Sequence, residues 1–402
     1  MNPAGALVGT LIELDVGAPA HGGSCVARHD GQVMFVRHAL PGERVVARVT
    51  EQSKHFGRAD AVEVLAASEH RVVPPCPAAR PGGCGGCDWQ HATAAFQREI
   101  KATVVMEQLL RLAGIDREVV VEALPGDGFG WRTRVRFAID ASGRAGFRRH
   151  RSHQVEVVGG CPIAHPLVEA ADVEGKRWDA ISEVEVAVSV ASGKRQVRSA
   201  AGRDGAMRVR EGGPLEEAAA GRTWRVSPGG FWQVHPAAAD VLTEAVMTGL
   251  LPRPGERALD LYAGVGLFAG SLADAVGVTG NVIAVESSSV AAMDASRNLA
   301  DLPQAQLVRA DVEKALGRPE QFGHVDLIVL DPPRSGAGAR VVAGVAGLHP
   351  RAAAYVACDP AALARDLATF AEHGYQLTHL RGFDMFPQTH HVECVAILEA
   401  TA

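Results

Sequence analysis

The sequence predicts an α/β protein with three parts: a small OB-like β-barrel, a central α+β region holding a four-cysteine cluster, and a C-terminal Rossmann-like domain. Short alternating apolar runs, divided by Gly, Pro and Asp, occupy residues 5–65 and are typical of a small barrel. A stretch dense in Pro, Gly and Cys then marks a boundary. From about residue 225, short apolar runs alternate with helical segments, as in a parallel sheet buried on both faces. We therefore place the parts at residues 1–66, 67–224 and 225–402.

Composition and charge narrow the function classes. The chain has 402 residues, 47% of them hydrophobic and 21% charged, which is a globular composition rather than a collagen-like or disordered one. It contains no uncharged apolar stretch of about 18 residues and no visible secretory signal, so we expect a cytoplasmic monomer without membrane contact. The net charge of −6 argues against a general polyanion binder. Residues 225–402 hold 12 Lys and Arg against 19 Asp and Glu, so a nucleic-acid surface belongs in the first half.

Several elements of the first half are predicted from local patterns. Four apolar runs are expected to form an antiparallel barrel, at Leu7 to Leu14, Gln32 to Val36, Arg44 to Val49 and Ala61 to Leu65. From Ala94 to Ala113 the apolar residues recur at helical spacing, and Gly114 is placed to end that helix. Residues 119–220 mix strand-like runs with polar stretches rich in Gly and Ala.

Four of the seven cysteines have the spacing of a metal site, namely Cys76, Cys84, Cys87 and the distant Cys161. Disulfides seldom persist in the cytosol, so metal binding or catalysis is the better explanation for such a group. Four thiolates suit either a tetrahedral zinc ion or a [4Fe–4S] cluster. A zinc ribbon more often offers two CxxC pairs, whereas one CxxC with two single cysteines, the last followed by Pro, favours iron–sulfur. We expect a [4Fe–4S] cluster, with zinc as the alternative.

A basic stretch lies between the third and fourth of these cysteines. Residues 131–151 carry seven arginines against one acid, Asp140, with Trp131, Phe137 and Phe147 interleaved. Arginine pairs with phosphate and stacks on bases, so this mixture favours folded or locally single-stranded RNA over a merely solvated charged face. The residues that we expect to contact RNA are Arg132, Arg134, Arg136, Arg148 and Arg149.

A glycine turn opens the C-terminal domain. The apolar strand Ala258 to Leu261 runs into a turn that holds Gly264 and Gly266, and a helix follows. Glycines let the backbone approach a ligand closely at the carboxyl end of the first strand. The next strand ends in Glu286, where doubly wound folds carry a ribose-binding acid. With Asp260 at the strand end, the turn resembles that of S-adenosylmethionine (SAM) methyltransferases rather than the six-position dinucleotide fingerprint.

Three further segments carry reactive side chains. Asp331 follows the strand Leu327 to Leu330 and precedes two prolines and an arginine, which hold it at the sheet edge. Cys358 ends the next strand just before a helix, a position that favours a nucleophilic thiolate over a buried core cysteine. Glu393 lies in an otherwise apolar strand, where a carboxylate is costly unless it has a partner or a task.

The segments DPPRSG, YVACDP and FPQTHHVE occur in this order and closely resemble the RNA (uracil-5-)-methyltransferases, which make 5-methyluridine in ribosomal or transfer RNA. The upstream FWQV segment is also similar to that family, and the N-terminal barrel resembles its RNA-binding TRAM domain. The resemblance implies that the C-terminal domain is a SAM-dependent catalytic domain. It implies that Cys358 adds to carbon 6 of uracil, and that Glu393 removes the proton from carbon 5. A flipped uridine is then expected, because its ring must meet both Cys358 and SAM.

By the same resemblance the four cysteines hold a [4Fe–4S] cluster, although the family's first spacing is often shorter. The residues implied to bind SAM are Gln233, Asp260, Tyr262, Gly264, Gly266, Glu286, Asp311 and Asp331. Leu267 replaces an Asn that often contacts SAM in the family, and Asp359 replaces an Asn after the cysteine. An added carboxylate at Asp359 is expected to raise the pKa of the thiol unless it is paired or turned away.

Two alternatives stay open at this point. An RNA cytosine-C5 methyltransferase uses the same thiolate chemistry, but such enzymes usually present a Pro-Cys nucleophile, and here the order is Cys358-Asp359-Pro360. A non-catalytic RNA-binding iron–sulfur protein with a decayed methyltransferase domain is the second alternative. The presence of Cys358, Glu393 and Asp331 speaks against it.

Overall fold

The N-terminal strands form a curled six-stranded sheet in the computed structural model, which describes residues 7–202 and 205–401. The strand order is β1-β5-β6-β4-β3-β2, and β1 packs back against β3. The strands are β1 (Leu11–Asp15), β2 (Pro19–Ala20), β3 (Ser24–His29), β4 (Gln32–Arg37), β5 (Arg44–Gln52) and β6 (Phe56–Ala66). The first six residues of the predicted barrel lie outside the described residues.

One strand pair departs from the predicted antiparallel barrel. Strands β4 and β6 are parallel, with Val33 opposite Phe56 and Arg37 opposite Asp60. The cause is the position of β6, which pairs antiparallel with β5 and inserts between β5 and β4, so that it runs in the same direction as β4. Alternate residues of each strand point inward, and Leu14, Val36 and Val45 are buried in the barrel core.

The central region contains a second sheet, in the order β10-β9-β8-β11-β12-β13, and a separate hairpin of β14 and β15. A short helix, α2 (Pro166–Glu169), packs against β11. The strands are β8 (Arg134–Ile139), β9 (Ala145–Arg148), β10 (Val155–Glu156), β11 (Glu183–Val188), β12 (Arg195–Ala200), β13 (Arg208–Glu211), β14 (Leu215–Ala219) and β15 (Arg222–Val226).

The C-terminal sheet is mainly parallel and eight-stranded, in the order β18-β17-β16-β19-β20-β22-β21-β7. Only β22 runs antiparallel, between β20 and β21. The strands are β7 (Val121–Ala123), β16 (Arg257–Leu261), β17 (Asn281–Glu286), β18 (Ala305–Arg309), β19 (Leu327–Leu330), β20 (Ala352–Ala357), β21 (Tyr375–Asp384) and β22 (Glu393–Ala400). Apolar residues are buried on both faces of this sheet, as the uninterrupted apolar runs predict.

Helices cover both faces of the C-terminal sheet. They are α3 (Ala238–Leu250), α4 (Leu267–Val276), α5 (Ser289–Asn298), α6 (Val312–Leu316), α7 (Ala339–Ala346) and α8 (Pro360–Glu372), with a 3₁₀ turn at Pro319–Gln321. No helix in the described ranges, 7–202 and 205–401, is both long and apolar enough to cross a membrane.

The predicted helix α1 (Ala94–Ala113) has the expected bounds, but it packs with the C-terminal domain. It contacts α8, and β7 adds to the sheet beside β21. Gly114 ends α1 in a left-handed conformation with φ of 65°, which glycine adopts without steric cost. The Lys101 ammonium, fully buried on α1, lies 2.6 Å from a carboxylate oxygen of Asp384. Sequence order therefore places α1 and β7 with the central region, whereas their packing joins them to the C-terminal sheet.

Candidate active site

The glycine turn after β16 is built as the sequence predicts, at the carboxyl edge of the parallel sheet. Gly264 and Gly266 have φ values of 56° and 94°, and Tyr262 also lies in the left-handed region at 65°. A Cβ added at Gly264 would meet no atom within 4 Å, so there is open space beside the turn. A Cβ at Gly266 would lie 3.2 Å from Leu299, so this glycine lets the turn pack closely on the end of α5.

Glu286 at the end of β17 directly supports that turn. Its carboxylate accepts a hydrogen bond of 2.9 Å from the Gly264 N–H and one of 2.6 Å from the Ser288 N–H. These bonds fix the carboxylate beside the open space at the turn. Two of the predicted cofactor residues, which are far apart in sequence, are thus brought together.

Of two further acids at this edge, Asp260 is fully buried and Asp331 is half-buried. Asp260 accepts a hydrogen bond of 2.8 Å from the Ala269 N–H, so it holds the first turn of α4. Its other oxygen, Oδ1, is buried without a partner among the described residues. Burial is the main cause that raises the pKa of Asp260 to about 8, and burial also raises the pKa of Asp331 to about 7. The site therefore holds several carboxyl groups in poorly solvated positions.

The other predicted cofactor residues are less directly linked to the turn. Asp311 caps α6, accepting a hydrogen bond of 3.1 Å from the Lys314 N–H, and is exposed. It lies near Tyr262, whose pKa is raised to about 12 by burial first and then by the Asp311 carboxylate. Gln233 is buried, and none of the described hydrogen bonds joins it to the glycine turn.

Cys358 and Glu393 face each other at the end of the sheet. Ala357 on β20 is paired with Cys394 on β22, so the next antiparallel position outward places Cys358 beside Glu393. Glu393 is only 4% exposed, whereas Cys358 is half-buried. Two residues that are 35 positions apart in the chain are thereby held side by side next to Asp331.

Burial shifts the pKa of both side chains of this pair upward. Burial first, and then the neighbouring Glu393 carboxylate, raise the pKa of Cys358 to about 12, while Arg334 opposes the shift. Burial and Asp331 likewise raise the pKa of Glu393 well above its ordinary value. Desolvation therefore disfavours the ionised form of both side chains and opposes the effect expected from the helix N-terminus at Cys358.

Asp359 is paired rather than free, but its carboxylate still contributes to the raised pKa of Cys358, less than burial and Glu393 do. It is the N-cap of α8 and accepts a hydrogen bond of 2.8 Å from the Ala362 N–H. Its other oxygen lies 3.1 Å from Nε2 of His21, which belongs to the barrel. Burial alone would raise the pKa of Asp359, but the bonds from His21 and Ala362 outweigh burial and lower it.

The segment before Glu393 is anchored by residues that sequence patterns did not identify. His390 Nδ1 lies 2.6 Å from a carboxylate oxygen of Asp88, and the Asp88 N–H donates to the Gln388 carbonyl at 2.9 Å. Gln97 on α1 exchanges hydrogen bonds of 2.9 and 3.0 Å with Gln388. Asp88 directly follows Cys87, and this adjacency was the one available signal in the sequence. A single acid thus links the cysteine loop to the catalytic segment.

The four predicted cysteines line one cavity of about 160 Å³, namely Cys76, Cys84, Cys87 and Cys161. Residues 84–87 and 160–163 approach each other there, although they are far apart in the sequence. Within the part of the chain that the structure describes, no group of three or more His, Cys, Asp or Glu is arranged to hold a metal ion. The donor set of four thiols fits an iron–sulfur cluster or a zinc ion.

The basic stretch is only partly a surface. Arg134 is mostly buried, and its guanidinium donates to the Gly230 carbonyl at 2.6 Å. Arg132 lines the cysteine cavity and donates to the Arg134 carbonyl. This corrects the expectation that both are surface residues. The reason is that the Arg134 guanidinium is bonded to Gly230 and that Arg132 faces the cysteine cavity.

Of the other three arginines, Arg136 and Arg148 are exposed and Arg149 is partly exposed, and all three are ion-paired. Arg136 and Arg148 contact Glu183 and Glu185 on β11, and Arg149 contacts Glu156 on β10. Acids on neighbouring strands therefore largely offset the excess of arginine in residues 131–151. A count of charges within that one stretch does not include these acids.

Two family models match the chain. The TRAM domain model matches residues 5–62, and the tRNA (uracil-5-)-methyltransferase model matches residues 224–401. The two matches lie on the curled barrel and on the domain that holds Cys358, Glu393 and the glycine turn.

Relatives match over nearly the whole chain. An uncharacterized RNA methyltransferase of Streptomyces avermitilis is 51% identical, covering 98% of this chain and 99% of its own. A 23S rRNA (uracil(1939)-C(5))-methyltransferase of Alkalilimnicola ehrlichii is 33% identical, covering 97% of both chains. The solved tRNA (uracil-54, C5)-methyltransferase of Pyrococcus abyssi, in complex with S-adenosyl-L-homocysteine, shares the fold with a TM-score of 0.72 at 24% identity, covering 96% of this chain and 99% of that one. The chain therefore belongs to the RNA (uracil-5-)-methyltransferases, a family of SAM-dependent enzymes that methylate carbon 5 of uracil in RNA.

Proposed function

We propose that this enzyme converts one uridine of 23S ribosomal RNA to 5-methyluridine through a covalent bond between Cys358 and carbon 6 of the base. The observation that carries the proposal is the placement of Cys358 opposite Glu393, at the sheet edge that also holds the glycine turn. A relative that is 33% identical and named for 23S rRNA favours ribosomal over transfer RNA as the substrate.

The first step makes carbon 5 of uracil nucleophilic. The Cys358 thiolate adds to carbon 6, forming the S–C6 bond, and the electron pair of the C5–C6 double bond moves toward the carbonyl at carbon 4 to give an enolate. Arg334 is the cation that favours the thiolate, since it opposes the rise in the pKa of Cys358. The thiolate is the reacting form, so the thiol releases its proton to water before the addition.

The second step restores the ring. SAM supplies an electrophilic methyl group when bound, and carbon 5 acquires it. Glu393, as the carboxylate, then removes the proton from carbon 5, the C5–C6 double bond re-forms, and the S–C6 bond breaks to release the Cys358 thiolate. A carboxylate whose pKa is raised by burial is a stronger base than an exposed one, so the position of Glu393 suits this task.

The glycine turn and its surrounding acids fit SAM. Gly264 leaves open space, Glu286 is fixed beside that space, and Asp260 keeps one buried oxygen without a partner in the described chain. We assign the ribose hydroxyls to Glu286 and the surroundings of the adenine to Asp311. Gln233, Tyr262, Gly266 and Asp331 complete the proposed cofactor site. Leu267, which replaces a family Asn, removes one polar contact without touching the reacting side chains.

The four cysteines would hold a [4Fe–4S] cluster, and no step of the methyl transfer needs it. The support for the cluster is the set of four thiols that line one cavity, together with the sequence pattern of one CxxC pair and two single cysteines. Iron and acid-labile sulfide analysis with visible absorption separates a cluster from a zinc ion; zinc without sulfide would contradict the cluster.

A covalent-trapping experiment tests the reaction. Purified enzyme is incubated with SAM and a 23S rRNA transcript containing 5-fluorouridine, which has no proton for Glu393 to remove. We expect an adduct that survives denaturation, is absent in Cys358→Ala, and persists in Cys394→Ala, the matched control at a buried core cysteine.

The same experiment addresses the alternatives. A binding protein without catalysis would leave no adduct in the unsubstituted enzyme. A cytosine-specific enzyme would trap 5-fluorocytidine instead, and equivalent transfer RNA transcripts would be the trapped substrate if the ribosomal assignment were wrong.

A further inference from the structure

A cleft separates the barrel from the loop that carries the cysteines, and no part of the proposed reaction uses it. This barrel cleft has a volume of about 360 Å³. Its lining includes Phe35, Arg37 and Arg58 from β4 and β6, Gly82 from the cysteine loop, and His150 and Arg151 from the turn between β9 and β10. Surfaces that are far apart in sequence thus meet around one opening.

The barrel cleft is connected to Cys358 through residues at the start of α8. Gly22 is one of its lining residues, and the preceding residue, His21, has its Nε2 3.1 Å from the carboxylate of Asp359. Asp359 in turn follows Cys358 directly. His21 and Asp359 therefore connect the lining of the cleft to the residue next to Cys358.

The chemistry of the lining suits a nucleotide base. The Arg58 guanidinium carbon lies 5.6 Å from the centroid of the Phe35 ring and 5.1 Å from that of Phe56. The two rings meet edge to face at 5.8 Å. Phe35 is only partly buried, so part of its ring remains open to a ligand. Aromatic rings beside arginine form the stacking surface that proteins use for unpaired bases.

The charge of the lining suits a phosphate. Arg58 and Arg151 each approach the same Glu51 oxygen at 3.2 Å, so one carboxylate is shared by two cations. Arg37 is only 7% exposed, lies 3.3 Å from Asp88, and leaves its Nε without a partner among the described residues. A buried donor without an acceptor is costly, and a bound phosphate would satisfy this one. Asp60 is the second acid of the cleft, and burial raises its pKa.

We propose that the barrel cleft binds one nucleotide of the substrate RNA close to the target uridine, with its base against Phe35 and Arg58 and its phosphate beside Arg151. The inference rests on the proposed function, because it assumes an RNA strand that also reaches Cys358. It assigns the barrel a specific subsite rather than a general affinity for RNA. It also predicts that Arg151, in the turn at residues 148–153, contacts the RNA backbone, whereas Arg132 and Arg134 do not.

Binding measurements with three variants test the subsite. Affinity of the full-length enzyme for a 23S rRNA transcript is measured over a range of salt concentrations for Phe35→Leu, Arg58→Gln and Arg151→Gln. Arg44→Gln is the matched control, an exposed barrel arginine that does not line the cleft. We expect about tenfold weaker binding for Phe35→Leu and Arg58→Gln, the loss typical of one stacked base. Arg151→Gln should lower the slope of log affinity against log salt by about 0.7, the value for one phosphate of a single strand, whereas Phe35→Leu should leave it unchanged.

Crosslinking identifies the contact directly. A transcript carrying 4-thiouridine near the target uridine is irradiated with the enzyme, and the attached peptides are mapped by mass spectrometry. Crosslinks to peptides containing Phe35 or residues 148–153 support the subsite. The inference is overturned if the unsubstituted enzyme methylates the transcript while all three variants behave like Arg44→Gln and the crosslinks fall elsewhere. If the unsubstituted enzyme methylates no RNA, the proposed function itself has failed.

Discussion

Glu393 illustrates how a single residue can be placed by its chemistry before its surroundings are known. A carboxylate in an apolar strand must have a partner or a task, and the structure places it beside Cys358 and Asp331, buried in the sheet edge. Its ionised form is costly there, so in the proposed reaction Glu393 would be a base that is charged at one stage and neutral at others.

Replacing this base should stop the reaction after methyl transfer. Glu393→Gln keeps the shape of the side chain but cannot accept the proton from carbon 5, so we expect turnover to fall by about 10²- to 10⁴-fold. A covalent RNA–protein adduct should accumulate with RNA that contains no 5-fluorouridine. It should appear as a denaturation-resistant band, and the RNA in this adduct should carry one added methyl group. Glu399→Gln, at the exposed end of the same strand, is the control. Normal turnover in Glu393→Gln would exclude this residue as the base.

The raised pKa of Cys358 predicts the pH dependence of the reaction. Because the thiol has a pKa of about 12 and must react as the thiolate, kcat/KM should rise as the pH rises from about 6.5 to 9. Arg334→Gln removes the cation that opposes this shift, so it should lower the rate at every pH in this range. Arg340→Gln, exposed on α7 and paired with Glu313, is the matched control. A rate that is flat with pH, measured under single-turnover conditions, would contradict a buried thiol as the nucleophile.

At the scale of elements, α8 shows how one cap serves both the fold and the site. Asp359 begins this helix by accepting the Ala362 N–H, and His21 from the barrel approaches its other oxygen. The cap fixes the backbone that carries Cys358, and its pairing with His21 ties the barrel to the catalytic domain. The carboxylate also raises the pKa of Cys358, although less than burial does.

Two substitutions separate the cap from the charge. Asp359→Asn retains an N-cap oxygen, whereas Asp359→Ala removes it, so the free energy of unfolding should be about 1 kcal/mol lower in Asp359→Ala than in Asp359→Asn. Both remove the negative charge, and both should lower the pKa of the Cys358 thiol, as measured by the pH dependence of its alkylation. Because the pKa of Asp359 is lowered, its contribution to stability should be present at neutral pH and lost as the pH falls through that lowered value. Equal unfolding midpoints would show that Asp359 does not act as a cap.

At the scale of the whole molecule, local patterns predicted elements better than they predicted packing. The bounds of α1 and β19 and the position of the glycine turn could be predicted, because hydrophobic period and turn residues act over a few positions. The insertion of β6 beside β4, the packing of α1 on α8 and the acids that pair with the arginines depend on contacts between distant segments. Arg134 shows the difference, because its sequence neighbours suggest an RNA surface, whereas Gly230, distant in sequence, accepts its hydrogen bond inside the protein.

The cysteine loop and the catalytic segment are joined through Asp88, and this connection predicts how the cysteine site affects the enzyme. Asp88 follows Cys87 and holds His390, while its own backbone N–H donates to Gln388. If the proposed cluster holds this loop, its loss should leave Asp88 less well fixed, and the segment at residues 386–393 should open more often. We expect Cys87→Ser, or removal of iron by a chelator, to increase amide hydrogen exchange at residues 386–393 while exchange at residues 262–268, around the glycine turn, stays unchanged.

Asp88→Asn should reproduce the increase with the cluster still bound. Asp127→Asn, an exposed acid in a loop, should not. Unchanged exchange at residues 386–393 after iron removal would mean that the cysteine site and the catalytic segment are independent, even though one residue contacts both.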